Sequence, residues 1–276
     1  MVADAMREKG FSLRKALRVS GCSRNGYYHQ SKKRHIPLDS YIIEKTKQIA
    51  LQRPLYGTRR MAAQLSKELR VRVNRKRIQR LYRQLGWTKP SMRKKQLLRA
   101  AVNSRPNPTC PNELWEADLT YIHCGLDGWA YLFNVIDVFS REWVSYVFDK
   151  YAVKENAILS VEKALIKHPN ALDVRLRTDH GSQYGSRAFK ESMRILGVKQ
   201  EFIAVNTPEQ NGHMESFHKT LKREYVWTRD FQSFQEAAEV IQESYLDYNQ
   251  NRIHSALGYL TPYEYLAKIM VTKNES

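Results

Sequence analysis

Cysteine is scarce: Cys22, Cys110 and Cys124 are the whole complement of a 276-residue chain, and no two of them form a CxxC pair. That argues against a disulfide framework and for a reducing compartment. It also leaves no thiol set for structural zinc, because Cys22, with His29 and His35 downstream, has no second cysteine nearby. No apolar run approaches the roughly 18 residues that a membrane span needs. The first residues carry no export pattern of basic, apolar and small-residue zones. A cytosolic protein with no membrane partner is therefore expected. Low-complexity tracts are absent as well.

Acidic residues are missing from one part only. Residues 1–100 hold 27 Lys and Arg against 5 Asp and Glu, whereas residues 101–276 hold 19 against 23. The net charge of +18 thus belongs wholly to the first part. A basic block ahead of a near-neutral one reads as a polyanion-binding module joined to a part that does other work. Nucleic acid is the polyanion expected, since the basic residues are interleaved with Leu, Ile, Tyr and Trp at the spacing of a folded domain.

Two helical pairs are predicted in this block. In residues 1–36, Leu13, Ala16 and Leu17 precede a turn at Gly21 and a short second segment from Ser23 to Tyr28, a helix-turn-helix-like arrangement that could equally be structural. In residues 37–88, a helix from Leu38 to Gln52 is stopped by Pro54. A further helix buries Met61, Ala62 and Leu65. Asn74 then serves as N-cap of another, with Ile78, Leu81, Tyr82 and Leu85 at i, i+3, i+4 and i+7. Arg75, Lys76, Arg77 and Arg80 surround that stripe. Basic side chains in a first turn oppose the helix dipole, and such a cost is best explained by an anion outside the fold. The first turn of a recognition helix is where phosphates and base edges are met. These four residues are expected to touch DNA, and Lys89, Arg93, Lys94, Lys95 and Arg99 carry the run into a basic linker over 89–110.

Beyond that linker the pattern changes. Three Trp-, Tyr- and Val-rich runs, LWEADLTYIHC, WAYLFNVIDVFS and REWVSYVFDK, predict a strand meander. A helix from Lys154 to His168, a strand at 174–178, a helix from Ser186 to Leu196 and a strand at 198–203 follow. Gly212 to Tyr225 is predicted helical. Residues 111–228 form the expected core, and 229–276 a C-terminal helical region with helices near Ser233–Gln250 and Thr261–Met270.

Three acids stand out in the core. Asp118 lies inside the first strand, where a carboxylate loses hydration and needs a cation or a donor. Asp179 follows a strand end directly, with Gly181 allowing a tight turn beside it. Glu215 opens a helix, and Lys222 lies two turns on, along the same face. Brought together by a sheet, such carboxylates suit magnesium or manganese, and two such ions can activate an attacking hydroxyl and stabilise a leaving 3′ oxygen. Asp137 is either a fourth ligand or a structural acid bonded to Ser140 and Arg141. His180 and His213, beside the acids, could position water or phosphate.

The blocks WEADLTYI, DVFSREWVS, LRTDHGSQY, TPEQNGHMESFHKTLKREY and YNQNRIHSALGYLTPYEYL, with 35 residues between Asp179 and Glu215, resemble the integrase-core transposases of bacterial insertion sequences, of the OrfB type. The likeness covers nearly the whole chain. It implies an α/β ribonuclease-H-like catalytic core, a mixed five-stranded sheet with flanking helices, preceded by all-α helix-turn-helix modules. It implies two Mg2+ or Mn2+ ions held by Asp118, Asp179 and Glu215, and DNA contact by Lys222. Gln210 and Asn211, in the polar loop before the catalytic helix, and Arg252, in a block with Tyr248, Asn249 and His254, are further expected DNA contacts. The implied partners are double-stranded DNA, as terminal inverted repeats and target, further copies of the chain, and a first-frame partner protein or fusion. A retroviral His/His/Cys/Cys zinc module is absent. An inactive DNA-binding regulator and a ribonuclease-H-type nuclease are the alternatives.

Overall fold

The computed structural model describes residues 2–24, 27, 40–88, 107–203 and 211–274. The chain divides into two compact units, residues 1–44 and 45–276.

In the first unit, α1 (Val2–Glu8) and α2 (Leu13–Ser20) bury Ala3, Ala16 and Leu17. Gly21 ends α2 in a left-handed conformation and returns its N–H to the Leu17 carbonyl. The sequence pattern does not mark α1. Half of the second segment expected there, residues 25, 26 and 28, lies outside the described residues.

α3 (Ser40–Gln52) leads into the second unit, where α4 (Thr58–Leu69) and α5 (Arg75–Gln84) pack together. They bury Met61, Ala62 and Leu65 against Ile78, Leu81 and Tyr82. Asn74 caps α5 by accepting the Lys76 N–H at 2.9 Å. The stripe and the cap are those the sequence predicts.

Three antiparallel strands open the core: β1 (Leu114–His123), β2 (Trp129–Asp137) and β3 (Trp143–Asp149). β4 (Arg175–Thr178) and β5 (Lys199–Phe202) add in parallel, giving the order β3-β2-β1-β4-β5. α6 (Lys154–Lys167), the short α7 (Ser182–Gly185) and α8 (Arg187–Ile195) complete the crossovers. One face of the sheet buries Trp115, Ala117, Phe133 and Val135 under α6 and α8. The opposite face buries Ile122, Leu132 and Trp143 under α9 (Gly212–Leu221) and α10 (Phe234–Gln250). α9 ends in a π turn over Lys222–Val226, and α11 (Pro262–Asn274) closes the described chain.

A seam of polar contacts docks α3–α5 on this core. Arg53 holds Asp247, which also accepts the Tyr225 hydroxyl. Glu224 accepts Arg252 at 2.7 Å and Arg60 at 3.3 Å. The Ile253 N–H donates to the Tyr56 hydroxyl. Asn249 serves both backbone groups of Trp143 on the edge strand β3, accepting its N–H and donating to its carbonyl. The block containing Tyr248, Asn249, Arg252 and His254 thus does structural work. No helix of the described residues is long and apolar enough to cross a membrane.

Candidate active site

Sheet register brings two of the acids together. β1 and β4 are parallel with Ala117 beside Thr178, so Asp118 and Asp179 emerge side by side where β4 stops. Each carboxylate has one backbone donor: the Leu119 N–H for Asp118 and the Gly181 N–H for Asp179, both at 2.8 Å. A Cβ at position 181 would stand 2.9 Å from the same Asp179 oxygen, so glycine is what lets the turn close on the acid. Burial, and then the neighbouring Asp179, push the Asp118 carboxyl up to about 7.

The Tyr184 hydroxyl, buried and without a hydrogen bond, lies in the field of both acids; burial and those charges hold its pKa well above the phenol range. A like-charged carboxylate pair is a pair of hard oxygen donors that fits a divalent cation.

α9 supplies the surroundings. Asn211 Nδ2 is 3.5 Å and His218 Nδ1 3.7 Å from Asp118 Oδ2. The Asn134 amide, paired across the strands with Asp118, donates to the Leu132 carbonyl at 3.1 Å and stands 3.2 Å from His218 Nε2. The Leu132 bond fixes that amide as a donor, so Nε2 accepts and the imidazole proton sits on Nδ1, facing Asp118. Burial, and then Lys222, bring His218 down to about 3, so it works as a neutral ring. Lys222 Nζ lies 4.7 Å from the Tyr121 ring centroid; burial lowers its pKa while Asp118 draws it back up.

Glu116, two residues before Asp118 and on the same face of β1, escaped the sequence reading. It is fully buried, accepting the Met214 N–H at 3.1 Å and facing His213 Nδ1 at 3.2 Å. α9's own N-cap, Asn211, makes no side-chain cap bond. A strand carboxylate therefore caps the helix that bears the third acid. The signal for it was present: two acids spaced i, i+2 on one face of a strand that begins Leu-Trp and carries Ala117 between them.

Glu215 is exposed in the first turn of α9. Among the described residues, no three His, Cys, Asp or Glu side chains are grouped closely enough to hold an ion. The structure joins Asp118 to Asp179 and leaves Glu215 outside that pair.

The remaining expected residues fall in several places. Arg75, Lys76 and Arg80 are exposed on α5, with Arg77 half-buried. Lys94, Lys95 and Gln210 lie outside the described residues. Arg252, expected at a phosphate, is corrected: it is 2% exposed, with its guanidinium bound to Glu224. Asp137 takes the structural of its two readings, accepting Ser140 through N–H and hydroxyl and the Asn112 N–H at 3.1 Å. His213 is committed to Glu116, and His180 to the Ile203 carbonyl at 2.9 Å.

Family models described as integrase core domain match residues 108–208 and 196–262, and one described as HTH-like domain matches residues 38–96. An uncharacterized 31.7 kDa protein of insertion element IS407 from Burkholderia multivorans is 31% identical over 98% of this chain and 96% of its own length. An uncharacterized 31 kDa protein of insertion element IS600 from Shigella sonnei is 32% identical over 88% and 94%. A transposase for insertion sequence element IS904 from Lactococcus lactis is 33% identical over 71% and 81%. In three dimensions, a chain of the simian T-cell lymphotropic virus intasome in complex with a PP2A regulatory subunit superposes with a TM-score of 0.50 at 19% identity, over 58% of this chain and 56% of that one. That likeness is one of fold, the ribonuclease-H-like arrangement of mixed sheet and flanking helices.

Proposed function

Because this chain belongs to the insertion-sequence transposases that carry an integrase core domain, we propose that it cuts a phosphodiester at the end of its element and joins the freed 3′ hydroxyl to another strand. In the cut, the oxygen of water bonds to phosphorus as the phosphorus bond to the 3′ oxygen breaks. In the joining step that 3′ oxygen attacks a second phosphodiester, whose own 3′ oxygen leaves. Each attacking oxygen gives up its proton to solvent and each leaving oxygen regains one.

The observation that carries this reading is the Asp118–Asp179 pair. Two carboxylates adjacent at a strand end, one of them pushed up to about 7, repel each other and gain from a cation between them. Asp118, Asp179 and Glu215 are the residues that would hold two magnesium or manganese ions, with Glu215 drawn in from its exposed position on α9. When bound, such ions supply charge for the attacking and leaving oxygens. The chain's own groups do the rest. His218, kept neutral and oriented by Asn134, steadies Asp118 without adding a proton to it. Lys222, whose charge is felt by Asp118, would neutralise the scissile phosphate. Glu116 fixes the helix start from which Glu215 projects.

The HTH-like part, with Arg75, Lys76, Arg77 and Arg80 on α5, is the terminal-repeat grip in this scheme, and Lys94, Lys95, Gln210 and Asn211 are further DNA contacts. Further copies of the chain, and a first-frame partner protein or fusion, bring two ends together. The test is Asp118→Ala with a precut duplex terminus and Mg2+: joined product should fall by roughly 10³-fold or more, with terminus binding retained. A variant that still joins ends would remove Asp118 from the chemistry. Wild-type hydrolysis with no joined product would make the protein a nuclease instead.

A further inference from the structure

A groove of about 540 Å³ runs between the first turns of α4 and α5 and the exposed flank of α9. Arg59, Arg60 and Arg75 line it from one side, Lys219 and Arg223 from the other. The single acid on its wall, Glu224, is already taken by the guanidinium groups of Arg252 and Arg60. Arg59, Arg75, Lys219 and Arg223 are exposed and have no carboxylate partner among the described residues. Ser216 and Thr220 add hydroxyl donors.

This placement works against the fold. Neither α4 nor α5 has an acid in its first turn, and both carry basic residues there, so each cation faces the positive end of a helix dipole. Gly57, the N-cap of α4, offers no side-chain cap and has open space around it. Unpaired cations gathered on one groove repel each other unless an anion enters. The α9 wall also leads to the chemistry. Ser216, Lys219, Thr220 and Arg223 recur at i, i+3, i+4 and i+7, and Glu215 sits one position, about 100°, round the helix from Ser216.

We propose that this groove binds the sugar-phosphate backbone of duplex DNA and carries it, within one subunit, from the α4–α5 grip to the acids on β1 and β4. The proposal rests on the transposase reading and adds a path to it: Arg59, Lys219 and Arg223 become phosphate contacts that connect recognition to cleavage. The ion pairs of the seam keep the two walls at a fixed separation, so the cut falls at a set distance from the gripped sequence.

The probe is a short fluorescent duplex of arbitrary sequence, titrated with the full chain across a salt series. Replacing Arg59, Lys219 and Arg223 together by alanine should weaken binding about 10-fold or more and lower the log–log salt slope by about 2 to 3, since each lost phosphate contact leaves its counterion in place. Arg59→Lys with Arg223→Lys, which keeps the charge, should hold the wild-type slope. Lys163→Ala, exposed on α6 over the opposite face of the sheet, should also leave it unchanged. A triple variant with the wild-type slope overturns the groove and leaves the transposase reading standing. So does a lysine variant as impaired as the alanine one. Wild-type protein that binds no duplex overturns both.

Discussion

Two grooves border the line where α3–α5 rest on the core, and they are opposite in charge. The larger, of about 660 Å³, is lined by Arg53, Lys67 and Arg229 together with Glu68, Glu224, Glu243 and Asp247, so its acids outnumber its cations. Each of its cations has a carboxylate: Asp247 for Arg53, Glu264 for Lys67, Glu243 for Arg229. The smaller is lined by cations of which four are unpaired. The same helices build both. A run of basic residues in a sequence therefore does not say which charges are consumed inside the protein and which are offered outside it. Arg252 and Arg53 are consumed; Arg59 and Arg223 are offered.

The sharpest way to break this contrast is to remove a consumed charge. Arg252→Ala leaves Glu224 half-buried beside Arg60 alone, and stripping one partner from a buried pair costs about 3 kcal/mol. Calorimetry should show the melting temperature falling by about 10 °C. Arg223→Ala, on the offered side, should stay within about 0.5 kcal/mol of wild type. Similar melting curves for the two variants would erase the distinction.

Glu116→Ala tests the same distinction within the site, because Glu116 is consumed in holding α9. The change strands the Met214 N–H in a buried place, at about 1–3 kcal/mol. Joining of precut ends should fall further than stability accounts for, since Glu215 follows Met214 directly. Glu116→Gln, which can still accept that N–H, should recover much of the joining activity if the hydrogen bond is what matters. Equal losses in both variants would trace the effect to charge.

Acid should loosen the seam before it touches the apolar core. Burial alone would raise the carboxyl of Asp247, but the Arg53 guanidinium overrides it and holds it below the usual range; Arg252 and Arg60 do the same for Glu224. Acids with a depressed folded pKa contribute stability above the ordinary carboxylate range, and lose it as pH falls through the depressed value. The urea midpoint should therefore drop as pH goes from about 5 towards 3, and Asp247→Asn should flatten that drop. An equally steep fall in the variant would place the acid-sensitive groups elsewhere.

What was legible in the sequence follows the reach of the interactions. The strand meander, the stripe of Ile78, Leu81 and Tyr82, the Asn74 cap and the order of core elements all come from residues a few positions apart, and local periodicity records them. Asp118 was visible as an acid inside an apolar strand and Asp179 as an acid at a strand end beside a glycine turn, and register then sets them side by side. The seam left no such trace. Arg53 and Asp247 are 194 positions apart, Arg60 and Glu224 164, Trp143 and Asn249 106. No period links them, so Arg252 looked like a phosphate ligand although its charge was already spent. Short elements escaped for the reverse reason: α7 and the π turn at Lys222 hold too few residues to form a pattern.

The smallest expected effect separates groove geometry from bulk charge. Lys67→Ala and Arg223→Ala each remove one positive charge, and each residue lies on a helix beside the seam. Lys67 is paired with Glu264 at a half-exposed position, side chains 42% and 38% exposed, and such a pair contributes less than about 1 kcal/mol. Losing Lys67 should leave the DNA salt slope at the wild-type value, because its charge is already answered. Losing Arg223 should lower the slope by about 1, one counterion for one phosphate. If net charge alone drove binding, the two variants would shift the titration equally. A difference between two chains of identical formal charge could arise only from where the unpaired cation stands.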